Sequence, residues 1–165
     1  IGSKWLDFTD DPFVKRGLGS RHFDAEGITA RRHVIFSQGQ LQNFYIDNYY
    51  GKKLQEKPTT ASPSNLSWKL GTKNLDALMA EIADGVLVTG FLGGNSNSTT
   101  GDFSLGIEGF RIRKGRPAEP VAEMNLSGNH LEFWKRLVKV GNDPYASSSL
   151  RTPTLVFDRA QFAGV

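Results

Sequence analysis

Apolar side chains recur at Leu75, Leu78, Met79 and Ile82, one stripe of a helical period, which predicts a core-facing helix from about Asn74 to Gly85. A second stripe, Leu131, Trp134, Leu137 and Val138, predicts a helix over Asn129 to Val140 with Gly141 as its left-handed stop. Lys135, Arg136 and Lys139 sit late in that segment, where the helix dipole favours cations. Elsewhere the pattern shortens. His33 to Phe36, the turn Ser37 to Gln40, and the return from Leu41 to Ile46 read as a hairpin within Arg31 to Asp47, with Gly39 supplying a positive φ. Asn48 to Leu54 suits a short helix, and Gln55 to Asn65, with its Lys57-Pro58 and Ser62-Pro63-Ser64 steps, reads as a flexible polar loop.

Strands are expected at Val86 to Leu92, Asp102 to Arg113, Glu119 to Leu126 and Thr154 to Phe157. Phe103, Leu105 and Ile107 alternate in phase, but the next apolar positions are Phe110 and Ile112. That change of parity places a bulge or bend at Gly109. The Lys114-Gly115 step and the short connections favour antiparallel pairing, so the fold class expected is α+β: a mainly antiparallel sheet with a few helices packed on it.

Length and charge add little to this picture. A chain of 165 residues suits one domain, 1–165, able to fold without disulfides, and it contains no cysteine. The net charge of +3 is a small surplus of 20 basic over 17 acidic residues, largely interspersed. The densest basic stretch, Arg111, Arg113, Lys114 and Arg116, reads either as a solvated strand edge or as a phosphate track. No apolar run is long enough to span a bilayer and no signal-peptide pattern opens the chain, so a soluble protein is expected. The opening Ile1-Gly2-Ser3-Lys4-Trp5, without an initiator methionine, suggests a piece of something longer.

Gly93 to Ser104, GGNSNSTTGDFS, is the stretch that most resembles a functional loop. It is no phosphate cradle, because neither the G-x-x-x-x-G-K-S/T spacing nor G-x-G-x-x-G before a helix occurs there. His22, His33 and His130 lack a second His or Cys at ligand spacing, and there is no G-x-S-x-G elbow. Asp24-Ala25-Glu26-Gly27 falls short of a calcium loop and reads better as a turn.

Blocks of sequence in order carry more. The run from Asp10 to Leu54, with its Phe-Asp-x-Glu-Gly turn, is similar to a segment of TldD/PmbA proteins; GNSNSTTGDFSLGIEGFRIRKGRPAEPV, LSGNHLEFWKRLVKVGND and TPTLVFDRAQFAGV resemble the blocks that follow in that family. The resemblance covers about Asp10 to Val165. It implies the C-terminal domain of a cytoplasmic metallopeptidase family, historically called modulators of DNA gyrase, that processes unstructured peptides and works as paired subunits. In the zinc-bearing branch an H-E-x-x-x-H helix and a cysteine near the chain end hold the metal. This chain has neither, and the helix in question would precede Ile1. The resemblance is therefore to the PmbA/TldE branch. It implies no catalytic residue, metal or cofactor in this chain, zinc in a partner subunit, and either a TldD-like partner or a homodimer, with the chain not catalytic by itself. On that reading Asn95, Asn97, Thr99, Thr100 and Asp102 border a groove for an extended peptide, or else satisfy their own loop. The alternative is a noncatalytic module that binds nucleic acid through its modest basic surface or a protein through a sheet edge.

Overall fold

Gln38 and Gly39 take φ of 48° and 80°, and Lys114 and Gly115 take 51° and 76°. Two successive positive φ values match the twist of paired strands, and both steps close tight hairpins. They belong to different parts of the computed structural model, which describes residues 2–164. One unit comprises Ser3–Leu70 and Pro144–Pro153; the other comprises Gly71–Asp143 and the stretch from Thr154 onward.

In the first unit, β1 (Phe8–Asp10), β2 (His33–Ser37), β3 (Gln40–Leu41), β4 (Leu66–Trp68) and β9 (Leu150–Arg151) form a five-stranded sheet in the order β3-β2-β1-β4-β9. Every pair is antiparallel except β4 with β9, which runs parallel with Leu66 opposite Leu150. The helix α1 spans Asn48–Leu54 as expected, and Asp47 Oδ1 caps it by accepting the Tyr50 N–H at 2.7 Å.

The apolar core here is small, with Leu6, Ala30 and Ile35 buried and Phe8 set between Phe36 and Trp68 at 5.3 and 5.0 Å. Buried polar groups supply the rest of the order. Asp10 is 2% exposed and accepts from the Ser64 N–H, the Ser64 hydroxyl and the Tyr45 hydroxyl. Asn65, fully buried, accepts from the Gly19 N–H and donates to the Asp11 carbonyl and Ser20 Oγ. Asp24 accepts from the N–H groups of Glu26, Ile28 and Ala61. Burial alone would raise the Asp24 pKa, but those three amides and nearby Arg21 hold it below the usual carboxylate value. The loop expected to be flexible, Gln55 to Asn65, is tied down at its far end. A buried carboxylate needs donors, and Ala61, Ser64 and Asn65 lie where they serve Asp24, Asp10 and the Gly19 backbone.

The second unit is built around β5 (Asp84–Ser96), β6 (Asp102–Arg113) and β7 (Arg116–Asn129), joined by β11 (Gln161–Ala163) in the order β11-β7-β6-β5. Phe103, Ile107, Met124 and Leu126 are buried on this sheet, with Val86, Val88, Val121, Phe133 and Phe162 packed against them. Pro117 and Pro120 sit in the part of β7 that lies beyond β11, where an edge tolerates the missing donor. At Gly109 the pairing with β7 slips, and a Cβ there would stand 1.9 Å from the Leu87 carbonyl oxygen. Ile107 and Ile112 are both buried, so the parity change is present; Phe110, expected inward, is 40% exposed.

Both predicted helices of this unit are shorter than the periodicity suggests. The first, α2, covers only Leu75–Met79, capped by Asn74 Oδ1 accepting the Ala77 N–H at 3.1 Å. After Met79 the chain tightens into i→i−3 turns, with the Glu81 and Ile82 N–H groups donating to the Leu78 and Met79 carbonyls, and the free Ile82 and Ala83 carbonyls accept from Gly115 and Lys114 of the β6–β7 turn. The second, α3, covers His130–Phe133, passes through a 3₁₀ turn at Trp134–Arg136, and gives way to β8 (Leu137–Val140). β8 pairs with β10 (Leu155–Phe157) in a two-stranded sheet. Leu131 is 60% exposed, and Gly141 is no left-handed stop: its N–H donates to the Thr154 carbonyl at 2.7 Å. Leu137 and Val140 are buried three residues apart, a spacing that a helix face shares with a strand containing a slip, and the β10 register does shift between Val156 and Phe157. Phe157 fixes the junction by stacking on Phe133 at 4.2 Å and meeting Trp134 edge-on at 5.5 Å.

Candidate functional site

Much of the GGNSNSTTGDFS stretch is strand. Gly93, Gly94, Asn95 and Ser96 end β5 opposite Gly106, Leu105, Ser104 and Phe103 of β6. The true loop is Asn97 to Gly101, closed by the Asn97 N–H to the Asp102 carbonyl and the Gly101 N–H to the Asn97 carbonyl, each at 2.8 Å. Asn97 Oδ1 accepts from Thr99 and Thr100 N–H at 2.9 and 3.2 Å, an Asx turn that satisfies the loop from within. Thr100 Oγ1 accepts from the Asp102 N–H at 3.3 Å.

Asp102 does not gather the loop's backbone amides; Asn97 does. The Asp102 carboxylate instead accepts from Asn129 Nδ2 at 2.9 Å. Those side-chain hydrogen bonds, from Asn129 first and Thr100 second, keep its pKa below the ordinary value although it is solvent-exposed. Asn129 also donates to the Thr100 carbonyl and caps α3 by accepting the Leu131 N–H. It stands opposite Asp102 in the β6–β7 register. Of the five residues expected at a groove, all are exposed; Asn97, Thr99, Thr100 and Asp102 are joined in this network, Thr99 through its backbone N–H, and Asn95 lies beside it on β5.

Two further residues escape a reading of this stretch alone. Ser96 Oγ and His130 Nε2 lie 3.0 Å apart, and the His130 ring packs on Phe103 at 4.7 Å. The His130 N–H donates to the Gly101 carbonyl, so α3 begins against the loop. Only the pairing of β6 with β7 brings residues so distant in sequence together. The signal available was the Gly128-Asn129 helix start, since Asn129 opposite Asp102 puts His130 beside the loop.

A zinc centre is not a fit for the residues present: among the described residues no group of three or more His, Asp or Glu converges. The basic stretch is partly neutralised, with Arg111 paired to Asp84 at 3.1 Å and Arg113 to Glu119, whose carboxyl is pulled down to about 2 chiefly by that hydrogen bond. Among the described residues no helix is long and apolar enough to cross a membrane.

Among the described residues β5 is the edge of its sheet and pairs with β6 alone, and it carries Phe91 and Leu92 at 62% and 61% exposure immediately before the glycine-rich turn. A long, open strand edge with exposed apolar side chains can accept another extended chain.

Comparison with known proteins gives this site its context. A Bacteroides thetaiotaomicron protein described as a candidate modulator of DNA gyrase has a crystal structure that matches with a TM-score of 0.96 at 48% identity, over all of this chain and 38% of that one. Metalloprotease PmbA of Escherichia coli O157:H7 is 30% identical over 162 residues, which is 97% of this chain and 36% of that protein. TldE from Thermococcus kodakarensis shares the fold, with a TM-score of 0.88 at 24% identity over 99% of this chain and 40% of its own. The chain thus spans little more than a third of these relatives. The family model for the PmbA/TldA metallopeptidase C-terminal domain matches residues 1–164, and the chain belongs to that family.

Proposed function

We propose that this domain serves a PmbA/TldE-type subunit of a cytoplasmic metallopeptidase assembly, presenting unstructured peptides to a zinc centre held by a TldD-like partner subunit. The observation that carries this reading is the free edge of β5, exposed over its second half from Phe91 to Ser96 and leading into the Asn97–Gly101 turn. An added strand binds through main-chain hydrogen bonds, so it suits substrates of varied sequence. Asn95 and Thr99 extend the polar surface at the end of that edge, whereas Asn97, Thr100 and Asp102 hold the turn in shape. The domain contributes no nucleophile and no metal ligand on this reading.

A photoreactive amino acid placed at Phe91 or Leu92 of the full-length protein is expected to crosslink an unstructured peptide, whereas the same group at Lys114 is not. Equal labelling at all three positions, or none at the first two, overturns the edge as the peptide site. Single substitution of His22, His33 or His130 by glutamine is expected to leave the zinc content of the assembly unchanged, as measured by elemental analysis. A nucleic-acid role finds less support, because Arg111 and Arg113 already face carboxylates.

A further inference from the structure

In the first unit, the segment leading into β2 and the loop after α1 meet along a cleft of about 320 Å³ lined by Ile28, Arg31, His33, Lys57, Pro58 and Thr59. Three of these side chains are basic and no carboxylate shares the lining. Arg31 and Lys57 are exposed, and among the described residues neither forms an ion pair, unlike Arg111 and Arg113 on the other unit's sheet. His33 Nε2 is shut off from solvent and has no hydrogen-bond partner. A buried polar atom left unpaired is costly, and cations gathered on one cleft repel each other until a counter-charge arrives.

The walls are prepared for an occupant. Thr59 accepts the Ile46 N–H at 2.9 Å through its hydroxyl and donates that hydroxyl to the Phe44 carbonyl at 2.7 Å, while its own N–H donates to the Ile46 carbonyl. The loop carrying Lys57 and Pro58 is therefore pinned rather than free. Ile28 and Pro58 give apolar surface beside the charges, the usual make-up of a small-ligand site.

We propose that this cleft binds a small organic oxyanion: an apolar body bearing one carboxylate or phosphate, gripped by the exposed Arg31 and Lys57 side chains. The planar guanidinium matches either anion with two parallel N–H donors, and Lys57 adds a mobile point charge. The apolar body lies against Ile28 and Pro58. This site belongs to a different unit from the β5 edge, and it stands or falls independently of the peptide reading.

Titration calorimetry of the full-length protein with phenyl phosphate, benzoate and inorganic phosphate tests it. At least one of the organic anions is expected to bind, and more tightly than inorganic phosphate. Arg31→Ala and Lys57→Ala are each expected to weaken that binding about tenfold, while Arg116→Ala, a cation on the other unit, leaves it unchanged. Preference for phenyl phosphate assigns the site to phosphate esters, and preference for benzoate to carboxylates. Both Ala variants remove exposed side chains, and matching melting curves establish that they are folded. Failure of all three probes to bind, or binding indifferent to Arg31→Ala and Lys57→Ala, overturns the proposal.

Discussion

Asp143, the last residue of the V-G-N-D block, shows what one side chain does in this fold. Its carboxylate accepts the Leu75 N–H at 2.7 Å, the Thr154 N–H at 3.0 Å and the Thr154 hydroxyl at 2.8 Å, fastening the start of α2 to the approach of β10. Burial would raise its pKa, but the Thr154 and Leu75 donors outweigh that and lower it. A lowered folded-state value means that the stabilisation is complete above the ordinary carboxylate pKa and is lost as pH falls through the folded value. Asp143→Ala is expected to cost about 1–2 kcal/mol at neutral pH, and the gap in melting temperature from the parent to narrow below about pH 4. In the β5–β6 turn the roles are divided differently. Asn97→Ala is expected to speed amide exchange at Thr99 and Thr100, which lose their acceptor, whereas Asp102→Ala leaves thermal unfolding essentially unchanged because its partners are reached by water.

At the scale of elements, the β6 bulge is the most demanding join. Gly109→Ala is expected to destabilise by about 3 kcal/mol in urea unfolding, since the new methyl meets the backbone oxygen of Leu87 rather than a side chain that can move. This bulge was legible from the parity of Phe103, Leu105, Ile107 and Ile112, and so were α1, the antiparallel class, both tight turns and the span of β6. What sequence concealed were choices made by distant partners. Leu137 to Val140 fits a helical stripe until β10 offers a strand to pair with, and Ile82 fits α2 although the chain there has already tightened into an i→i−3 turn onto the Met79 carbonyl ahead of β5. The polar 55–65 loop looked mobile because the buried Asp10 and Asp24 that recruit it lie far back in the chain. The turn within Gly93 to Ser104 was legible as a turn, but Ser96 and His130 become neighbours only through the β6–β7 register.

Over the whole molecule, each unit is assembled from two separate stretches of chain. The first unit's sheet takes its final strand, β9, from a segment that follows nearly all of the second unit, and the second unit takes β10 and β11 from beyond that segment. A chain cut after Asp143 in the full-length protein is expected to lose β9, β10 and β11 together, and limited proteolysis should then find both units cleavable rather than one. The same arrangement governs biosynthesis. While a ribosome is still extending the chain past Val140, the β4 edge that will receive Leu150 and Arg151 stands open, and β8 has no partner. Parallel pairing over so long a separation closes late, and open strand edges invite foreign chains in the meantime. Neither unit can be completed before β9, β10 and β11 emerge, so synthesis of the 150–163 stretch is the step that commits both units to the folded state.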